Sequence, residues 1–457
     1  MDEPACPGCR DHLKRLAELE AQVAELTRKL EEATRAGKRQ AAPFRKGPPK
    51  PDPKKPGRKS GDAHGAHGHR PTPPPDQVAE RHQAPWPDAC PHCRGQLIET
   101  GTAEQFQTEI PRTPLIRQFT VHVGHCDTCG KCTRGRHPRM TSDALGAAAS
   151  QIGPDAQAAV ALLHTRAGLS HGKVAAVFDA RFGIRLTRGA RAQINGRAGV
   201  RLEPEYRQLG ASVRASRQLA ADETGWRIGG HSAWLHVWVG DRATAYAIDS
   251  QRSADALERV IGTDWSGVLS HDGYATYDRF ARAIHQSCLA HVLRRARELL
   301  AEATRGAVRF PRRLIALFTD AIHRRNQLAG RVETDDARER QRSGFDDRLL
   351  ALVRGPRAVP AYATFAQHLR KHLEQWFTFV FDPGLEPTNW KAEQAIRPAV
   401  VNRKVWGGNR TRVGADAQQV LMSVFETCRR HARSALDFVS LTLRSFGNRA
   451  LQRPALT

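Results

Sequence analysis

The stretch Arg217-Gln-Leu-Ala-Ala-Asp222-Glu-Thr-Gly225, followed by Trp234-Leu-His-Val-Trp-Val239, decides how this chain folds. Residues 217–222 read as a strand of mostly small residues ending on an acid. Residues 234–239 alternate with period two, the mark of a strand with two unlike faces, and Gly240-Asp241 supplies a turn. Residues 243–248 give a third strand, so the three read as an antiparallel meander. Downstream, the pattern predicts a helix over 254–261 and a short apolar strand over 267–270 that runs into His271-Asp272. Residues 284–350 read as largely helical and rich in arginine, and 388–446 as a last helical region. Three strands, a helix, another strand and then helices predict an α/β fold with a mixed sheet.

Asp222 and Asp272 stand at two of these strand ends, 50 residues apart. Carboxylates at adjacent strand ends can hold divalent ions of the Mg2+ type, and a pair of such ions assists both the attacking and the leaving oxygen in phosphoryl transfer. A third acid from a later helix would complete the set. Glu393 is the candidate, in Asn389-Trp-Lys-Ala-Glu393-Gln-Ala-Ile-Arg397-Pro398, where Asn389, Glu393 and Arg397 recur every four residues and share one helix face. Any one aspartate at a strand end is more often a turn or helix cap; the three positions together weaken that reading, and on pattern alone a site and a cap fit equally. Cys288 and His291, one helical turn apart, read as a metal or structural pair.

Upstream, Cys90-Pro-His-Cys93 and Cys126-Asp-Thr-Cys129-Gly130 are Cys-x-x-Cys pairs separated by 32 residues. Four thiolates bind Zn2+ tetrahedrally and leave no open position, so a structural site is expected, with free thiols or a redox pair as alternatives. Gly130 allows the left-handed turn of such a knuckle, and Cys132 is a spare thiol. Cys6 and Cys9, with His12, are a weaker pair that a dimer partner could complete. Leu16, Leu19, Val23, Leu26 and Leu30 follow coiled-coil spacing, although one amphipathic helix packing on its own chain fits equally. Twelve of the 27 prolines lie between Pro43 and Pro87, and residues 35–61 hold ten Lys/Arg against one acid. That composition reads as a disordered basic linker, in which Lys54, Lys55, Arg58 and Lys59 are candidates for DNA phosphate contact. Strand-like runs are expected at 104–110 and 116–123, and a helix-turn-helix over 170–198. The chain thus divides into a leucine-patterned helix (1–34), a basic linker (35–87), a zinc module (88–138), a helical DNA-binding region (139–212) and a catalytic domain (213–450) with a helical insertion at about 300–385.

The 457 residues carry 71 Lys+Arg against 47 Asp+Glu, a net +24 that favours polyanionic partners, nucleic acid first. No run approaches the ~18 apolar residues of a membrane span. The start Met1-Asp-Glu-Pro has neither the basic start nor the apolar stretch of a signal peptide. Nine cysteines fit a cytoplasmic location as metal ligands better than as disulfides.

In order along the chain, these landmarks resemble the insertion sequence 66 transposases, specifically their large catalytic subunit. The match runs through Lys55-Pro-Gly-Arg-Lys-Ser-Gly61, the four cysteines, Asp222-Glu-Thr224, Asp272-Gly-Tyr274, Cys288-Leu-Ala-His291-Val-Leu-Arg294, the 389–398 motif, Arg403-Lys404 and Glu426-Thr427. The resemblance implies a ribonuclease-H-like catalytic core and a DNA transposase. Asp222, Asp272 and Glu393 would hold Mg2+ or Mn2+, with structural Zn2+ at Cys90, Cys93, Cys126 and Cys129. Arg397, Arg403 and Lys404 would contact phosphate, with a solvated helix face as the plain alternative, and Cys288/His291 would pack and position DNA ends rather than bind zinc. The partners implied are the element's terminal repeats, target DNA, further copies of the chain and, as often in the family, two small accessory proteins. The implied location is the bacterial cytoplasm, at the nucleoid. The rival readings are a zinc-finger DNA-binding protein without catalysis, a decayed transposase, and a nuclease that cuts without joining.

Overall fold

The computed structural model describes residues 15, 18–23, 25–26, 72–83, 87–89, 92–98, 104–108, 114–137, 139–140, 152–252, 254–303, 307–446 and 455–456. The chain divides into two units, Met1–Pro111 and Arg112–Thr457. In the first, residues 18–23 are helical, with Leu19 and Val23 exposed. Leu16, Leu30, Lys54, Lys55, Arg58, Lys59, Cys6, Cys9 and Cys90 lie outside the described residues. Residues 104–108 form no regular structure, where a strand was expected.

The second unit begins with a hairpin, β1 (Val123–His125) and β2 (Cys132–Arg134), paired antiparallel. The preceding residues 116–122 are not a strand: Ile116 is 89% exposed, and pairing starts only where the hairpin supplies a partner. Four helices follow: α1 (Pro154–Thr165), α2 (His171–Phe182), α3 (Arg188–Arg201) and α4 (Glu203–Arg214). Ser170 caps α2 by accepting from the Lys173 amide, and Thr187 caps α3 by accepting from the Ala190 amide, which satisfies donors a helix start leaves open. Gly183 ends α2 at φ +65°, and the chain turns there towards α3.

A five-stranded mixed sheet comes next: β3 (Gln218–Ile228), β4 (His231–Val239), β5 (Thr244–Asp249), then, after α5 (Ala254–Ile261), β6 (Val268–His271) and β7 (Ile284–Ser287). The spatial order is β5-β4-β3-β6-β7. The meander β3–β5 is antiparallel, whereas β6 runs parallel to β3 and β7 parallel to β6. β7 stands where helix was expected. Its Gln286 and Ser287 are buried, and the Gln286 carboxamide accepts from the Phe379 amide at 3.0 Å, so polar side chains line a covered strand.

Between β7 and the last helices lies a helical insertion with its own core: α6 (Leu289–Ala301), α7 (Arg309–Leu328), α8 (Asp335–Val353), α9 (Pro360–Lys371) and α10 (Thr378–Phe381). The chain then returns through α11 (Trp390–Trp406), α12 (Arg412–Arg430) and α13 (Ala435–Phe446). The alternation of β3 sorts its two faces. Ala220 and Trp226 share a core with Ala392, Ala395, Ile396 and Ala399 of α11. Leu219 and Ala221 share the opposite core with Leu209 and Val213 of α4 and with Val424 and Phe425 of α12. Tyr246 locks these layers together: its hydroxyl donates to Ala395 O at 2.6 Å and its amide to Ser423 Oγ at 2.9 Å. Glu426, expected as a family landmark, is buried and takes guanidinium bonds from Arg166 and Arg429, tying α1 to α12.

Candidate active site

Asp222 lies mid-strand in β3, on the face that meets α11, because it shares parity with Ala220 and Trp226. Asp272 follows the last residue of β6 directly, and β6 is the parallel neighbour of β3. Glu393 sits in the first turn of α11. These elements bring Asp272 and Glu393 close enough for their charges to act on Asp222. Burial pushes the Asp222 carboxyl up to about 7, and the charges of Glu223, Asp272 and Glu393 push the same way. Each aspartate also accepts a bond from a neighbouring backbone amide. Asp222 Oδ1 accepts from the Glu223 amide and Asp272 Oδ1 from the Tyr274 amide, both at 2.9 Å. The turn after β6 needs Gly273, whose φ is +89°.

The start of α11 is anchored from two sides. Asn389 Nδ2 donates to Ala221 O at 2.7 Å, one residue before the first acid, and the Asn389 amide donates to Cys288 Sγ at 3.2 Å. The Leu289 amide reaches Pro387 O at 3.0 Å, so the two ends of the helical insertion meet here. Burial pushes the Cys288 thiol up. Its Sγ lies 4.0 Å from Glu393 Oε1, and Cys288, His291 and Glu393 place ligand atoms within 4.8 Å of one another. Two buried atoms beside the acids, Asn389 Oδ1 and His291 Nδ1, have no hydrogen-bond partner among the described residues.

On the other face of β3, Glu223 is held by a group of side chains that no sequence motif singles out. Arg252 binds it at 2.6 Å and the Tyr277 hydroxyl donates to it at 2.6 Å, while the Glu223 side chain is 2% exposed. The Arg252 guanidinium lies over the Tyr274 ring at 3.6 Å and the Trp234 ring at 4.6 Å. Arg252 thereby joins β3, β4 and the Asp272 turn.

A family model described as "Transposase IS66 family" matches residues 149–417. The chain belongs to the insertion sequence 66 family of transposases. No curated protein matches it. The family implies an enzyme of DNA transposition that binds DNA, and it suggests divalent metal use. The matched span covers Asp222, Asp272 and Glu393 and the whole helical insertion.

Oxygen donors from carboxylates suit a hard divalent cation. The repulsion among the acids and the orphaned Asn389 Oδ1 are the features a cation would relieve. Of the expected phosphate contacts, Arg397 and Lys404 are exposed on α11. Arg403 instead points to β3, where Nη1 donates to Thr224 Oγ1 at 3.1 Å and to Gly225 O. The hairpin turn carries Cys126 and Cys129, both exposed; Cys126 N donates to Lys131 O, Gly130 N donates to Cys126 O, and Gly130 has φ +67°. Among the described residues no helix is long and apolar enough to cross a membrane.

Proposed function

We propose that this transposase cleaves and joins DNA at the ends of an insertion sequence, using Asp222, Asp272 and Glu393 as its metal-holding acids. The observation that carries the reading is the crowding on Asp222, a buried carboxyl whose ionised form is opposed by its acidic neighbours. Structural acids are normally paired with cations; this group is arranged to receive one. The sheet order, with the second acid on the strand parallel to the first, supports a ribonuclease-H-like core with its insertion between β7 and α11.

Mg2+ or Mn2+ at these carboxylates would assist the attacking oxygen and stabilise the leaving one. The chain's own groups fix the geometry. Asn389 and Cys288 set where α11 begins, hence where Glu393 projects, and the Glu223–Arg252–Tyr277 network holds β3 against the Asp272 turn. The first reaction is hydrolysis at the element's end, releasing a 3′-OH; the second is attack of that 3′-OH on target DNA. Arg397 and Lys404 are the phosphate contacts of this reading, together with the 54–59 basic run. Joining two ends calls for more than one copy of the chain. Zinc at Cys90, Cys93, Cys126 and Cys129 belongs to the same proposal, supported by the turn at 126–130.

The test uses a pre-cleaved element end, a target plasmid and Mg2+. Wild type should give a joined product, and Asp222→Asn and Glu393→Gln should give none while still binding the end. Joining by Asp222→Asn at the wild-type rate refutes the assignment. Metal analysis of purified protein that finds no zinc removes the zinc claim.

A further inference from the structure

The helical insertion contains a second basic site, away from the acids in sequence and built by different elements. A cavity of about 410 Å3 opens between the start of α7, the end of α8 and the start of α9. Arg309, Arg313, Arg354 and Arg357 line it, with Phe310 and Tyr362, and no acidic side chain lines it. Several other arginines of the insertion have acid partners: Arg324 with Glu333, Arg325 with Glu386, Arg342 with Glu339 and Asp346, Arg348 with Asp320. Others, such as Arg297, Arg331 and Arg340, have none among the described residues but do not line this cavity. Arg309, Arg313 and Arg354 are exposed, and their side chains have no hydrogen bond or ion pair among the described residues. Arg357 is half-buried, with its guanidinium 4.3 Å from the Phe310 ring centroid and one nitrogen bonded to Leu352 O. Its buried Nε has no partner among the described residues. The floor is closed, since Phe310 and Tyr362 are 7% and 6% exposed, so the cavity offers charge and N–H donors rather than a stacking face.

Four guanidinium groups around one concavity repel one another unless an anion joins them. The 20-residue α7 adds to this, because Arg309 opens the helix and no side chain caps its first amides. Guanidinium forks fit phosphate oxygens two at a time. We propose that this cavity is a seat for the phosphates of the DNA strand that the transposase handles. It rests on the joining reading only in taking DNA as the substrate. The insertion then is a DNA-holding part as well as the spacer between the second and third acids.

The experiment measures binding of the full-length chain to a short labelled duplex of arbitrary sequence over a range of salt concentrations. The pocket variant is Arg309→Ser/Arg313→Ser/Arg354→Ser, which leaves the packed Arg357 in place. A control, Arg297→Ser/Arg331→Ser/Arg340→Ser, removes the same charge from exposed positions of the same insertion. Each lost phosphate contact lowers the slope of log K against log salt by about 0.9. The pocket variant should therefore lose up to about 3 in slope and the control clearly less. Equal slopes for the two variants, or a pocket variant unchanged from wild type, overturn the proposal. A second arm adds inorganic phosphate at matched ionic strength. If phosphate raises the melting temperature of wild type but not of the pocket variant, with no difference in the DNA slopes, the cavity takes free phosphate and the DNA seat is wrong. Joining by Asp222→Asn is scored separately, so loss of the catalytic reading leaves this result intact, and the reverse.

Discussion

Replacing Asp222 with asparagine should make the metal-free protein more stable, although it removes a group the proposed reaction needs. The native carboxyl keeps its proton up to about 7, against an ordinary value of 3.8. Between those values the folded chain binds a proton that the unfolded chain has released. Stability therefore falls as pH rises from about 4 to about 7, and the full cost is present above that. At about 1.4 kcal/mol per pKa unit, the ionised group opposes folding by up to ~4 kcal/mol. The substituted asparagine would keep the bond from the Glu223 amide, since its carboxamide oxygen can accept it, and would carry no charge. Urea denaturation in EDTA at pH 8 should place Asp222→Asn about 2–4 kcal/mol above wild type. At pH 4, where wild type is protonated, the two should converge. Excess Mg2+ at pH 8 should close the gap by raising wild type alone, because a ligand that binds only the folded state stabilises it. A variant less stable than wild type at pH 8, or a gap that ignores both pH and Mg2+, would refute the argument that these acids crowd a cation site.

Other substitutions probe the supports around it. Arg252→Ala leaves the buried Glu223 carboxylate with Tyr277 alone and should cost about 3 kcal/mol; an unchanged denaturation midpoint would show that Glu223 does not depend on this pair. Asn389→Ala removes the 2.7 Å bond to Ala221 O. It should cost about 1 kcal/mol in stability but a larger factor in joining, since Glu393 lies one turn further on, and equal effects on both would count against the positioning role. Gly199→Ala would bring a methyl group 2.7 Å from Cα and Cβ of Ala417, forcing α3 and α12 apart. A loss of about 1–3 kcal/mol is expected, and a thermal melt that does not move would contradict this packing.

The parts of the fold that showed in the sequence were those whose reasons are local. Ser170 and Thr187 announce helix starts because a hydroxyl satisfies an open amide wherever it stands, and the alternation of Trp234 to Val239 reports two faces directly. β7 did not show, because Gln286 and Ser287 are buried through bonds to distant residues such as Phe379 and Gln375. The run at 116–122 failed in the opposite sense: its residues favour strand, but among the described residues no strand pairs with them. Asp222, Asp272 and Glu393 could be picked out as candidates because small-residue strands and a four-residue helical repeat are local signals. Arg252 was not, since its role comes from two rings and a carboxylate brought together by separate strands and turns.

The meeting of the insertion's two ends has an evolutionary reading. With Leu289 bonded to Pro387 and Asn389 to Cys288, roughly a hundred residues leave the core and return at nearly the same point. Their number and arrangement can change without shifting Glu393 relative to Asp222. The proposed acids and the accessory helices are therefore free to diverge at different rates. A lineage could graft, lengthen or trim this lobe to suit new DNA ends while inheriting the same chemistry.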